Sequence, residues 1–198
     1  MDWSRHKQSL LAEWLLDNNS TFLDIGCGSP FDSVCNPLLQ IGWNGYFVDI
    51  ERNDEWNSIT NNYHVVDALQ TDWSFVTKNP DYVSIDVEGL GNRFRVLERL
   101  NWDWDMKIIT IEHDRYRTTD ETDGDHNLHE KIPQKEFMLN KGYHLLCEDI
   151  TWKRPETNEY LPHEDWWIKP SLLEKAKVIG GKNHYEFDLY EKILTYIG

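Results

Sequence analysis

The apolar positions of the chain fall into two kinds of run. TFLDIGCG (21–28), GYFVDI (45–50), NYHVVDA (62–68), DYVSIDV (81–87) and KIITIEH (107–113) are short and apolar on both faces. Such runs, rich in β-branched and aromatic residues and bounded by Gly, Asn or Pro, predict strands buried in a parallel sheet. Between them the spacing turns helical. Behind a Ser4 N-cap, Leu10, Leu11, Trp14 and Leu15 share one face, and Asn18, Asn19 and Ser20 end that helix. A second helix is expected over 33–41, carrying Pro37, and a third over 92–100 with Phe94, Leu97 and Leu100 inward.

Beyond residue 114 the pattern changes. RYRTTDETDGDHN (115–127) is polar and aperiodic, which predicts a surface loop; a helix follows over 129–141. GYHLLCED (142–149) and EDWWIKP (164–170) have no helix between them, so they predict an antiparallel pair at the sheet edge. Residues 171–198 read as a tail with one helix near Leu189, packing on the domain or on a partner chain in a homo-oligomer. The expectation is an α/β domain over 1–170: a mostly parallel seven-stranded sheet with an antiparallel edge and helices on both faces.

LDIGCG (23–28) ends the first strand in Gly26-Cys27-Gly28. Glycine lets backbone approach a ligand and adopt positive φ. A dinucleotide fingerprint needs a third glycine, and its position here is Phe31. S-adenosylmethionine has no phosphate to cradle; it presents an ammonium, a carboxylate and a sulfonium. Asp24 suits the cationic amino-acid head, directly or through water. Asp49 ends the second strand, where a carboxylate accepts from ribose hydroxyls, with Glu51 as the nearby alternative. Asp67 ends the third strand, within reach of an adenine amine. Against this stands a plainer reading in which each Asp is an N-cap following a strand.

Composition narrows the partners. The 198 residues carry 20 Lys and Arg against 35 Asp and Glu, a formal charge of -15. That surface repels phosphate backbones, so no nucleic acid is expected. The three cysteines, Cys27, Cys35 and Cys147, match no zinc spacing and read as reduced thiols of a cytoplasmic protein. No apolar stretch approaches the ~20 residues of a membrane span. The ten tryptophans read mostly as core, Trp102, Trp104, Trp152, Trp166 and Trp167 being alternatives for stacking on a sugar.

With these residues in view, residues 20–168 resemble the class I methyltransferase superfamily and, within it, the FkbM-like family. Asp24, Gly26 and Gly28 match D-x-G-x-G. DYVSIDVEG (81–89), followed by a helix with Val96-Leu97, is similar to the family's IDVEG segment. IITIEHD (108–114), GYHLL and DWWIKP are similar to its later strands. The chain departs from the pattern at DIGCGSP (24–30) and at LGNRF (90–94). The resemblance implies a Rossmann-like methyltransferase fold, S-adenosyl-L-methionine as cofactor, and methyl transfer to an oxygen on a sugar, glycan or related small molecule. N-methylation and a non-catalytic cofactor-binding module are the alternatives.

An alcohol needs a general base or a metal to become a nucleophile. Asp86 and Glu88 flank the end of the fourth strand; Glu112, His113 and Asp114 end the fifth. Asp86 or His113 is the expected base, with Asp86 also near the cofactor. In a variant, Asp86, Glu112 and His113 hold a magnesium-like ion. The plainer alternative makes Glu88 a helix cap and His113 a structural histidine. Residues 115–128 would form a substrate lid, with Arg115, Arg117 and His126 facing an acidic acceptor or solvent.

Overall fold

The computed structural model describes residues 7–113, 124, 127–154, 157–182 and 184–197. The Ser4 cap, Asp114 and, apart from residues 124, 127 and 128, the segment expected to form a lid lie outside the described residues.

The chain runs α1 (Lys7–Leu15), β1 (Thr21–Ile25), α2 (Asn36–Gln40), β2 (Asn44–Asp49), β3 (Tyr63–Val65), β4 (Tyr82–Ile85), α3 (Asn92–Arg99) and β5 (Ile108–Glu112). Then come α4 (Ile132–Asn140), β6 (His144–Lys153), β7 (Tyr160–Ile168), α5 (Leu173–Ala176), β8 (Gly181–Lys182) and α6 (Glu186–Ile197). The strands form one sheet in the order β3-β2-β1-β4-β5-β7-β6-β8. The pairs β3-β2, β2-β1, β1-β4 and β4-β5 are parallel. Strand β7 is antiparallel to both β5 and β6. This is the expected Rossmann-like α/β fold, with eight strands among the described residues rather than seven. The eighth comes from the expected tail: β8 pairs in parallel with β6, Cys147 opposite Gly181.

Burial on both faces explains why the strands read as unbroken apolar runs. In β1, Phe22 faces one core, with Leu11, Leu38, Phe47, Trp166, Leu189 and Ile193. Its neighbours Leu23 and Ile25 face the other, with Val83, Val96, Leu97, Ile111, Met138 and Trp167. Helices α1, α2 and α6 therefore cover the first face, and α3 and α4 the second. Trp14 of α1 stacks on Tyr196 of α6, ring centroids 5.1 Å apart. The described residues of 171–198 thus build onto the sheet through β8, Leu189 and Ile193.

Several boundaries shift. Strand β3 has three residues instead of the expected 62–68, because Asp67 opens a turn that ends it. Helix α2 starts only at Asn36, where Pro37 occupies its first turn. A π-helical turn, Asn127–Lys131, precedes α4. On α3 the buried residues are Arg93, Val96 and Leu97, with Leu100 just beyond, while Phe94 is only half-buried. Trp104, Trp166 and Trp167 are core, and Trp102 and Trp152 are half-buried.

Candidate active site

The sheet reverses its winding between β1 and β4, and ligands of open α/β sheets bind at the carboxyl ends of strands beside such a switch. The glycine loop leaves β1 there. Gly26 has φ +81° and Gly28 φ +58°. A Cβ on Gly26 would lie 1.6 Å from the Asp86 carbonyl oxygen, so glycine is obligatory where the loop crosses the end of β4. A Cβ on Gly28 would meet only Asp32 Cβ, at 3.8 Å, so its outer side is open. The loop is held from three directions. The Gly26 and Cys27 amides donate to the Val48 carbonyl at 2.8 and 3.2 Å. The Trp56 indole donates to the Gly28 carbonyl at 2.9 Å. The Gly28 amide donates to Asp49 Oδ2 at 2.8 Å.

Asp24 lies beneath the loop, 2% exposed. Its Oδ2 accepts from the Ser33 hydroxyl at 2.6 Å and from the Cys35 amide at 3.4 Å. Burial pushes its carboxyl up to about 7, against the opposing pull of Ser33. Asp24 therefore braces the loop from below. Cys27 is buried in the loop itself, and burial raises its thiol far above the ordinary range.

Of the other two strand-end carboxylates, Asp49 is half-buried beside the glycine loop. It accepts from the Gly28 amide on one oxygen and the Glu51 amide on the other. A carboxylate offers about four lone-pair positions, so two acceptor positions remain for a ribose diol. Glu51 is exposed. Asp67 accepts from the Leu69 amide and the Gln70 side chain, at 2.8 and 2.7 Å. Those bonds make it the cap of a turn.

The ends of β4 and β5 bring a second group together. Ile85 pairs with Ile111, so the chain places Asp86 beside Glu112 one step further on. The two carboxyls hydrogen-bond each other. Burial first, then the charge of Asp86, pushes Glu112 well above the carboxylate range, with Arg93 pulling it down. Two carboxyls this close hold one proton between them. Asp86, with a side chain 47% exposed, keeps the open position. Arg93, buried at the start of α3, lies 3.8 Å from Asp86 and 3.7 Å from Glu130. Glu88 is exposed; its carbonyl, not its carboxylate, accepts from the Asn92 side chain at 2.8 Å.

His113 parts company with Asp86 and Glu112. It is 1% exposed, with Nε2 3.8 Å from Asp149 Oδ1 and 3.9 Å from Asp165 Oδ1. Of the expected metal set, the strand ends join Asp86 to Glu112 and give His113 different carboxylates. Lys131 Nζ rests on Asp149, and the Asp149 amide donates to Asp165 Oδ1 at 2.7 Å. Burial raises the Asp165 carboxyl to about 6.

Arg93, Ser33 and Trp56 escaped the sequence reading. Arg93 alone left a signal: it lies three, four and seven residues before Val96, Leu97 and Leu100, on the buried face of a helix. An arginine there requires a buried anion.

Two clefts lie at the far edge of the sheet and not over the glycine loop. One, of about 360 Å³, lies between β6, α5 and β8, with Leu146, Leu173 and Gly181 in its wall. The other, of about 590 Å³, is lined by Thr151, Tyr160, Pro162, Tyr185 and Asp188.

No protein-family model and no curated protein sequence matches the chain. Solved structures do. An rRNA methylase from Streptococcus thermophilus is 14% identical, with 81% of this chain and 92% of that chain covered and a TM-score of 0.49. M. capricolum TrmK, in complex with its cofactor product S-adenosyl-homocysteine, is 17% identical over 95% of this chain and 74% of that chain, TM-score 0.49. A precorrin-6y C5,15-methyltransferase from Geobacter metallireducens is 19% identical over 82% and 87%, TM-score 0.46. The strand order and the loop geometry by themselves define a Rossmann-like α/β protein.

Proposed function

We propose that the protein is an S-adenosylmethionine-dependent methyltransferase acting on a hydroxyl of a small-molecule or carbohydrate acceptor, in line with its resemblance to the FkbM-like family. The observation that carries the reading is the Gly26-Cys27-Gly28 turn at the topological switch, bonded to Asp49 on one side and abutting Asp86 on the other. The open side of Gly28 and the two free acceptor positions of Asp49 fit an adenosyl group with an amino-acid tail. When bound, S-adenosylmethionine supplies a methyl group already activated on a sulfonium.

The chain's own residues then have limited tasks. The glycine loop admits backbone close to the ligand, and Asp49 orients the ribose. Asp86 takes the proton of the acceptor hydroxyl as its oxygen forms the new C–O bond to the methyl carbon. Bound S-adenosylmethionine would supply that methyl carbon and would leave as the neutral thioether S-adenosylhomocysteine, so the charges balance. Glu112 keeps the proton shared by the pair and points it at Asp86 in a hydrogen bond, so Asp86 begins as the anion. Arg93 tempers the charge of the pair. The three buried thiols accord with a reducing, cytoplasmic setting.

Calorimetric titration of S-adenosylmethionine and S-adenosylhomocysteine, with NAD as control, tests the cofactor. Binding of the first two alone is expected; a folded protein that binds neither is not a methyltransferase. S-adenosylhomocysteine release over a panel of hydroxylated acceptors tests the chemistry. Turnover that survives Asp86→Asn removes Asp86 from the mechanism; turnover on amines that survives loss of both Asp86 and His113 points instead to a nitrogen acceptor, which needs less help from a base.

A further inference from the structure

The end of β5 carries a second centre, which the proposed reaction does not use. His113 follows β5, Asp165 lies in β7 and Asp149 in β6, and the three side chains meet in the interior. The gaps of 3.8 and 3.9 Å from His113 Nε2 to the two carboxylates are too long for hydrogen bonds. They suit two donors sharing one ion. With metal–ligand bonds of roughly 2.0–2.2 Å, donors around one ion stand roughly 3 to 4.2 Å apart. All three ligand atoms lie within 4.8 Å of one another.

The strand that supplies Asp149 is bent to do so. The pairing of β6 with β7 shifts between Cys147 and Ile150, a β-bulge. In a regular strand Asp149 would share the face of Cys147. Here it has φ +57° and turns to the opposite face, that of Asp165. Bulges re-aim side chains in this way.

We propose that His113, Asp149 and Asp165 form a binding site for a first-row divalent cation of the Mn2+ or Zn2+ type. The imidazole distinguishes this donor set from the all-oxygen shells of Mg2+ and Ca2+. Lys131 Nζ rests on Asp149 Oδ1, and Lys182 Nζ lies 3.4 Å from Oδ2. An ion therefore competes with Lys131 for Oδ1, and the displaced ammonium passes to Glu148, 3.8 Å away. The bound ion ties the ends of β5, β6 and β7 together. The site stands on this geometry alone and does not depend on the methyltransferase reading.

The test is titration of the chelator-treated full-length protein with Mn2+, followed by loss of the free-ion EPR signal. The wild type takes up one saturable equivalent, Zn2+ displaces it, and Mn2+ raises the melting temperature. His113→Gln and Asp165→Asn lose both the equivalent and the thermal shift while keeping the far-UV circular dichroism of the parent. Lys131→Gln moves the midpoint to lower Mn2+, a gain that misfolding does not produce. Diffuse binding that the wild type shares with His113→Gln, or a Lys131→Gln midpoint equal to the parent's, overturns the proposal.

Discussion

Replacing Gly26 with alanine separates the two duties of the glycine loop. At φ +81° an L-residue is strained, and the added Cβ lies 1.6 Å from the Asp86 carbonyl oxygen. Left-handed backbone costs an L-residue about 1–2 kcal/mol, and forcing an extra carbon into packed surroundings about 1–3 kcal/mol. The sum, about 2–5 kcal/mol, is a large part of a stability of about 5–15 kcal/mol. For a chain of this length it lowers the melting temperature by roughly 4–20 °C. Gly28→Ala bears only the backbone part, about 1–2 kcal/mol, because the space outside Gly28 is open. Its methyl group projects where the ligand should lie, so it weakens S-adenosylmethionine binding by about tenfold or more at 1.4 kcal/mol per decade. Calorimetry reads both quantities. A Gly26→Ala protein melting within about 2 °C of the parent, or a Gly28→Ala protein binding as the parent does, refutes the reasoning.

Other outcomes follow from the same geometry. Asp86→Asn lowers turnover by about 10²–10⁴-fold, the usual worth of a general base, whereas Glu112→Gln retains most of the rate because an amide donates as the protonated acid does. Assays of S-adenosylhomocysteine release compare the two. Burial raises Glu164 from 4.5 to about 8 in the folded protein. Its stabilising contribution is therefore complete below pH 4.5 and is lost as pH rises through about 8. Denaturant melts across that window show a smaller decline for Glu164→Gln. Trp56→Phe removes the indole bond to the Gly28 carbonyl. It costs about 1 kcal/mol, read as a small loss of melting temperature and weaker cofactor binding.

Some of this was written in local pattern and some was not. Strands β1, β2, β4 and β5 were legible because burial on both faces leaves no polar alternation. Gly26 and Asp49 were legible because the requirement they meet is set by backbone geometry at a strand end. Two-residue β8 carries no periodicity; it exists because the β6 edge offers Cys147 and Glu148 for pairing. Ser33 and Trp56 brace the loop across distances that no spacing rule reports. Ser33 reaches Asp24 only because α2 starts at Asn36, after a turn over the end of β1. Trp56 reaches Gly28 because it packs on Phe47, ring centroids 4.1 Å apart.

His113 marks where local reading stops. Its place after β5 put it next to Glu112 in sequence, and a shared destination was the natural expectation. Strand alternation works against it: Glu112 pairs with Glu164, and Asp165 is the next residue of β7. A side chain leaving the strand end toward Asp165 turns away from Asp86. Whether it then finds another partner depends on β6, and a β6 running regularly on from Cys147 would have carried Asp149 to the other face. The bulge after Cys147 reverses that, and its trace in sequence is slight: Glu148-Asp149 interrupts apolar residues that would otherwise keep step. The register shifts of a neighbouring strand thus divide the polar end of the sheet into an open carboxyl pair, Asp86 with Glu112, and a closed centre at His113.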